Sequence, residues 1–511
     1  MTTSKYFALK RPAAAPSPSN RTAKPATPSD NTYQWKKPKI AYSPHAPSAA
    51  ASTMTGRVPV SSLPAEFAHA YPFTHFNRLQ SECFGDVFGS SRNMVVSAPT
   101  ASGKTVLMEL AIYRLFQHQA SRSRFKVLYL APLRALCAEK ALDWKARYSR
   151  CGLECIEAAG PDADSLSATP KPAGDALLAG SHIVCSTPEK WVSIARNSDS
   201  STSLLRTFKL VLVDECHMVG TDRGAWLEIA VSSIRMVSKD ARVVAVSATV
   251  GNIGDIAEWL GVGHGASGLE STCMAKTRVF GEEYRPVPLT KVVLGFDSRM
   301  PYYKFQRNLD FRLPGALNSH SCGKPALIFC STRGSAQDTC RHLIRNKSQL
   351  AHQPAPIHLT SLFTNHLLNE SVPHGIAYHH SGLSSSDKRR VEQLFASGSI
   401  RILCSTSALG TGVNLPAHMV IVKGTKGYVD SNYAEYRASE IWQFIGRAGR
   451  PQFGSSGKAL ILTESSMVSK YRNMVGGCEV LESSLYGELA RHIIIEVRKQ
   501  TFQTVADVYK W

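Results

Sequence analysis

Long apolar runs are missing from this 511-residue sequence: nothing approaches the roughly 18 consecutive apolar residues of a membrane-spanning helix, and the N-terminus lacks the apolar core of a secretory leader. Membrane insertion and secretion are thus without a signal, and an intracellular protein with no membrane partner is expected. CxxC pairs are absent too, although there are twelve cysteines. Several of these (Cys185, Cys330, Cys404) sit inside strand-like apolar runs, where a thiol serves as a small core residue. Cys151 and Cys155 are close in sequence, but no second ligand pair follows at a useful distance, so reduced, metal-free thiols are the expectation. Acidic residues are scarce, 39 against 59 Lys and Arg, for a net charge of +20. Such an excess suits a polyanionic partner such as nucleic acid, though an ordinary solvated basic surface accounts for it as well.

The charge is uneven. Residues 1–57 carry nine Lys or Arg and one Asp, and they are rich in Pro, Ala, Ser and Thr with few large aliphatics. They cannot bury enough apolar surface to offset the entropy of ordering, so a disordered basic tail is expected. Lys36-Lys37-Pro38-Lys39 and Lys10-Arg11-Pro12 within it are candidate nuclear import signals, or chance clusters in a basic tail. With 43% apolar residues, the remainder is long enough for two or three ordinary cores.

From about Phe73, short β-branched and aliphatic runs alternate with helical stretches. Strands are predicted at Met94 to Ser97, Val127 to Leu130, Ile183 to Cys185, Leu210 to Val213 and Val243 to Val246. The grammar restarts at Ala326 to Cys330 and continues through Ile376 to Tyr378, Ile402 to Cys404, Val420 to Val422 and Ala459 to Leu462. Strands alternating with helices imply right-handed crossovers and parallel sheets covered on both faces, so two α/β domains are expected. Between them Tyr284 to Leu289, YRPVPL, reads as an extended linker. Asp162 to Gly174 reads as a surface loop.

Two short motifs carry the chemistry. APTASGKT at Ala98 to Thr105 and DECH at Asp214 to His217 each follow a strand-like run. A loop ending in Gly103-Lys104-Thr105 can wrap backbone N–H groups around a triphosphate, with Lys104 on the outer phosphates and the Thr105 hydroxyl toward magnesium. Asp214 then holds the metal through water and Glu215 accepts a proton from the attacking water, which makes a nucleotide hydrolase the leading reading. The second domain has no phosphate loop, yet it carries polar motifs where its strands should end: Ser331-Thr332-Arg333, STSALGTGVNLP from Ser405 and QFIGRAGR from Gln443. Arg447 and Arg450, three residues apart on one predicted helical face, can reach a γ-phosphate held by the first domain.

Gln80, APTASGKT, APLRALCAEK from Ala131, TPEKW from Thr187, DECH, SAT from Ser247, GTGVNLP and QFIGRAGR occur in the order found in superfamily 2 DExH helicases, which the chain resembles from about residue 70 to 511. TPEKW, YRPVPL and HHSGL at His379 narrow the likeness to the superkiller-like group. FNRLQSECF from Phe76, TKVVLGF from Thr290 and EYRASEIWQFIGRAGRPQF from Glu435 are most similar to its meiotic crossover helicases. The resemblance implies two tandem RecA-like parallel-sheet lobes, at 58–285 and 286–470, after the tail of residues 1–57. The segment 471–511 resembles the approach to a winged helix, so a C-terminally truncated chain is expected.

The same resemblance implies ATP and Mg2+ as cofactors, single-stranded or branched DNA as partner, a monomer, and a place in the nucleus. Ala98, Pro99, Thr100, Ala101, Ser102, Gly103, Lys104 and Thr105 would surround the phosphates, with Ala98 replacing the first glycine of the generic loop. Gln80 would read the adenine edge, with Phe73 or Phe76 stacking on the base or packing in the core. Gly412, Arg447 and Arg450 would supply the second-lobe half of the site, while His217, Ser247, Thr249 and Gln443 couple nucleotide state to lobe closure. Nucleic-acid contacts would come from Arg134, Lys190 and Ser331. A β-hairpin between Lys423 and Tyr436 would split the duplex, with Tyr428 or Tyr433 on the last base pair; a plain solvent loop is the alternative. Three readings stay open: a 3′ to 5′ DNA helicase, an RNA helicase of the superkiller or spliceosomal type, and a nucleic-acid-binding fragment without useful turnover.

Overall fold

A computed structural model describes residues 56–118, 125–158, 180–197, 201–261, 274–351, 357, 363–407, 415, 417–429, 432–449, 455–477, 480–498 and 502–510. The expected basic tail up to residue 55 and the expected loop at 162–174 lie outside these. Two parallel sheets organise the rest. The first contains β1 (Met94–Ser97), β2 (Lys126–Leu130), β3 (Cys155–Glu157), β4 (Ile183–Ser186), β5 (Phe208–Val213), β6 (Arg242–Ser247) and β7 (Lys276–Val279) in the order β3-β4-β2-β5-β6-β1-β7. Successive side chains of a strand point to opposite faces. Val127 and Tyr129 accordingly enter one hydrophobic core with Leu210, Leu212, Val244 and Val246, whereas Leu128, Leu130, Val211, Val213, Val243 and Ala245 enter the other. Helices cover both faces, which is why these strands are apolar throughout.

The second sheet contains β8 (Leu289–Phe296), β9 (Ala326–Phe329), β10 (Ile376–His379), β11 (Ile402–Ser405) and β12 (Met419–Lys423). A two-stranded hairpin, β13 (Lys426–Val429) and β14 (Asn432–Glu435), precedes its last strand, β15 (Gly457–Glu464), and the order is β10-β11-β9-β12-β15-β8. All ten predicted strands are present within a residue or two. The linker is shorter than predicted: from Leu289 the chain is already the edge strand β8, paired with β15 from Leu289↔Gly457 to Phe296↔Glu464.

Beyond β15 the described part is helical, at Val468–Gly476, Tyr486–Arg498 and Val505–Lys510, and the first of these helices runs through position 470. The chain then returns to the first lobe. Leu481 joins that lobe's core, exchanging hydrogen bonds with Asn252, and Ser483 Oγ donates to both Glu228 carboxylate oxygens at 2.8 Å. The strap thus ties the end of the second lobe to the helix Gly224–Val237 of the first.

Candidate nucleotide cleft and nucleic-acid contacts

The phosphate loop, the Asp-Glu pair and the Ser247 to Thr249 turn leave the carboxyl ends of three neighbouring strands, β1, β5 and β6, where parallel sheets place their ligands. In the loop, Ala101 (φ 63°) and Gly103 (φ 90°) adopt left-handed backbone. A Cβ on Gly103 would lie 2.5 Å from Gln80 Nε2, so the position needs glycine for space as well as for conformation. Asn77 and Gln80 form a capping box on the helix Arg78–Phe88. They also brace the loop: Asn77 Nδ2 donates to Ser102 O at 2.9 Å and Gln80 Nε2 to Gly103 O at 3.1 Å. Gln80 is 5% exposed, and its amide acts here as a support for the loop. Phe76 is wholly buried in the core, which removes it as a base-stacking candidate, while Phe73 is 36% exposed.

Lys104 Nζ donates to Ala98 O at 2.6 Å and to Pro99 O at 3.0 Å, closing the loop on itself. Burial lowers its pKa, and the carboxylates of Glu215 and Asp214 oppose that shift. Asp214 takes Tyr129 Oη–H on Oδ2 at 2.8 Å and the Glu215 amide on Oδ1 at 3.0 Å. Burial, and then the Glu215 charge beside it, raise its pKa. Two adjacent buried carboxylates gain from a cation between them. Glu215 has left-handed backbone, φ 52° and ψ 48°, strain on the order of 1 kcal/mol that non-glycine residues accept mainly at functional sites. Its Oε2 is buried without a hydrogen-bond partner, 3.4 Å from His217 Nδ1.

His217 is 5% exposed, accepts weakly from the Ala248 amide at 3.4 Å, and is pushed toward its neutral form by burial. Ser97, which the sequence reading passed over, secures the turn after β6: its hydroxyl donates to Ala248 O and accepts from the Val250 amide, both at 3.2 Å. The Ser247 hydroxyl is buried beside the Cys216 thiol.

The opposite wall belongs to the second lobe. A cleft of about 410 Å3 is lined by Thr100, Ala101, Gly103, Lys104, Thr105, Asp214 and Glu215 on one side and by Gln443, Gly446 and Arg447 on the other. QFIGRAGR does not follow a strand, as the sequence reading had it. Its described part, residues 443–449, forms the end of the helix Ala438–Ile445 and the turn after it, because that helix runs back along β12 and delivers the turn to the amino end of its sheet. Arg447 therefore stands on a turn and not on a helical face. A Cβ on Gly446 would lie 2.3 Å from Thr100 Oγ1, so the lobes touch there. Gln443 Oε1 is buried and unpartnered, and it makes no hydrogen bond with His217. Thr249 faces a smaller interlobe cavity of about 240 Å3 with Pro99, Thr100, Arg285 and Trp442. Gly412 and Arg450 lie outside the described residues.

The nucleic-acid candidates are spread over separate elements. Arg134 opens the helix after β2 and pairs with Glu157 at 3.5 Å, and Lys190 lies in the helix Pro188–Asn197 after β4. Ser331 follows β9, its hydroxyl buried and unpartnered. The predicted hairpin is present, with Tyr428 opposite Tyr433. Tyr433 packs on Tyr302, ring centroids 4.6 Å apart, and Tyr428 is 52% exposed. Gly427 lies within β13, where a Cβ would lie 2.7 Å from the Tyr436 ring, so it serves close packing, and residues 430 and 431 fall outside the described residues.

A basic amine whose present partners are loop carbonyls, a hydroxyl at a helix start, two adjacent carboxylates and an arginine across the cleft suit a magnesium nucleotide. Known families agree with that geometry. The DEAD/DEAH box helicase family matches residues 77–256 and the helicase conserved C-terminal domain matches residues 311–452. The chain thus carries a DEAD/DEAH box helicase domain followed by a helicase C-terminal domain. The chain is 37% identical to the ATP-dependent DNA helicase MER3 of Saccharomyces cerevisiae, over 88% of its own length and 36% of that protein's. It is 36% identical to the DExH-box ATP-dependent RNA helicase DExH14 of Arabidopsis thaliana, over 88% of its own length and 20% of that protein's. The chain thus spans about a third or less of the length of these relatives. Its fold is similar to the crystal structure of the DUF1998 helicase MrfA bound to DNA and AMPPNP, with a TM-score of 0.59 and 17% identity over 83% of this chain and 55% of that one.

Proposed function

We propose that this chain is the motor of a nuclear DNA helicase of meiotic recombination, coupling nucleic-acid-stimulated ATP hydrolysis to 3′ to 5′ movement along a single strand. The shared cleft carries the reading: Lys104, Thr105, Asp214 and Glu215 face Gln443 and Arg447 across it. Lys104 and the loop amides hold the outer phosphates, and Thr105 and, through water, Asp214 hold Mg2+. Bound together, magnesium and ATP supply a polarised γ-phosphoryl group. Glu215 takes the proton of the attacking water. Arg447, with Arg450, offsets charge on the transferring oxygens. His217, buried, and Gln443, half-buried and not bonded to it here, form the contact that links hydrolysis to lobe closure.

DNA as substrate is supported by the identity to MER3, and the meiotic setting by the FNRLQSECF and EYRASEIWQF wording. Arg134, Lys190 and Ser331 contact the strand, and Tyr428 is the hairpin residue open to a base pair. The chain works as a monomer. The test is ATPase activity of this chain without nucleic acid, with single-stranded DNA and with single-stranded RNA. It is followed by strand displacement on duplexes with a 3′ or a 5′ tail. DNA stimulation with 3′-tail preference supports the proposal; stimulation by RNA alone transfers the reading to RNA, and no turnover removes it.

A further inference from the structure

Arg285 lies in the linker between β7 and β8 and is only 5% exposed, an uncommon place for a guanidinium unless its donors are occupied. Its Nε donates to Val287 O at 3.1 Å, and its Nη2 donates to Gly446 O at 3.3 Å and to Ala448 O. Those two carbonyls flank Arg447. From the other side, the Ala417 amide donates to Arg447 O at 3.1 Å and the Gly449 amide donates to Ala417 O at 2.9 Å. Gly449 has φ 72°, and a Cβ there would meet Gly457 Cα at 2.9 Å and Val287 Cγ1 at 3.2 Å, so the linker packs directly against the turn. The turn that presents Arg447 is thus held on one flank by the Ala417 backbone and on the other by the Arg285 guanidinium, with the Val287 side chain packed beside it.

We propose that Arg285 is a positioning residue for phosphoryl transfer: by holding the Gly446 and Ala448 carbonyls it sets the direction in which Arg447 enters the cleft. The inference rests on the hydrolysis reading above. The linker joins the two lobes, so any change in its path moves Arg447 relative to the phosphate loop. Linker geometry thereby becomes a control on turnover.

The test is a kinetic cycle with Arg285→Ala, Arg285→Lys, Arg447→Ala and the double variants. Lysine keeps the charge but brings one nitrogen where a planar fork spans several acceptors. Arg285→Lys and Arg285→Ala are each expected to lower kcat about 10²-fold, the effect of roughly 1 Å of misplacement at a reacting group. ADP carries no γ-phosphate, so its affinity, read by fluorescent ADP titration, should stay within about twofold. In the Arg447→Ala background the lysine substitution should cost less than about threefold more, because residues acting as one unit are not additive. If Arg285→Ala does not fold, Arg285→Lys decides alone. Wild-type kcat in Arg285→Lys, or a full multiplicative loss in the double variant, overturns the inference. An active parent with an unaffected Arg285→Lys removes this inference only, whereas a parent without ATPase activity removes the hydrolysis reading and this inference with it.

Discussion

Gly446→Ala probes the contact between the lobes with one added methyl group. The new carbon would sit 2.3 Å from Thr100 Oγ1 and 2.7 Å from Thr100 Cβ, where carbon pairs rest at about 3.5 to 4.0 Å. Relieving the overlap takes about 1 Å of separation between the turn holding Arg447 and the loop holding Lys104, and a shift of that size at a reacting centre costs about 10²-fold in rate. The two closest overlaps lie between the lobes, with a milder one to Trp442 O at 2.9 Å inside the second lobe, so thermal unfolding should change modestly and ADP should still bind. Steady-state ATPase assays with saturating single-stranded DNA should show kcat falling by about two orders of magnitude, with partial recovery when Thr100→Gly removes the opposing Cβ. Wild-type kcat in Gly446→Ala would show that this contact does not set the catalytic geometry.

Glu215→Gln should bind ATP while hydrolysing it about 10² to 10⁴ times more slowly, the effect of losing a positioned base; single-turnover hydrolysis at the parent rate would end that assignment. Lys423→Met should destabilise the second lobe by about 3 to 5 kcal/mol, because it strands a buried carboxylate: Lys423 Nζ is bonded at 2.6 Å both to Asp310 Oδ1 and to Thr339 Oγ1. Denaturant melts should also show Asp310→Leu with Lys423→Met recovering most of the loss, and an unchanged midpoint in the single variant would contradict the pairing. Affinity for single-stranded DNA should fall with salt at a slope near −0.7 per phosphate neutralised; filter-binding curves insensitive to salt would count against backbone contacts by Arg134 and Lys190.

Buried apolar runs made ten strands readable, nine central ones and the edge strand β10. The strands that escaped lie at edges or carry polar residues: β3 has three residues, β7 is largely exposed, and β8 starts at the last residue of the proline-bearing linker. Within the cleft, Lys104, Asp214 and Glu215 are legible because each sits in a short local motif. Tyr129 and Asp214 are 85 residues apart, Ser97 and Ala248 are 151 apart, and Arg285 and Gly446 are 161 apart. Only the sheet order brings those pairs together, and no local pattern announces them. Phe76 looks like any aromatic beside a binding motif until burial places it in the core.

The central claim is that two lobes share one nucleotide. Comparing DNA-stimulated ATPase rates of this chain and its Arg447→Ala variant, with ADP affinity measured alongside, tests it most directly. The account predicts turnover in the parent, a loss of about 10³-fold or more in the variant as for other arginines supplied across a cleft, and ADP affinity preserved. Equal rates in the two proteins would contradict it.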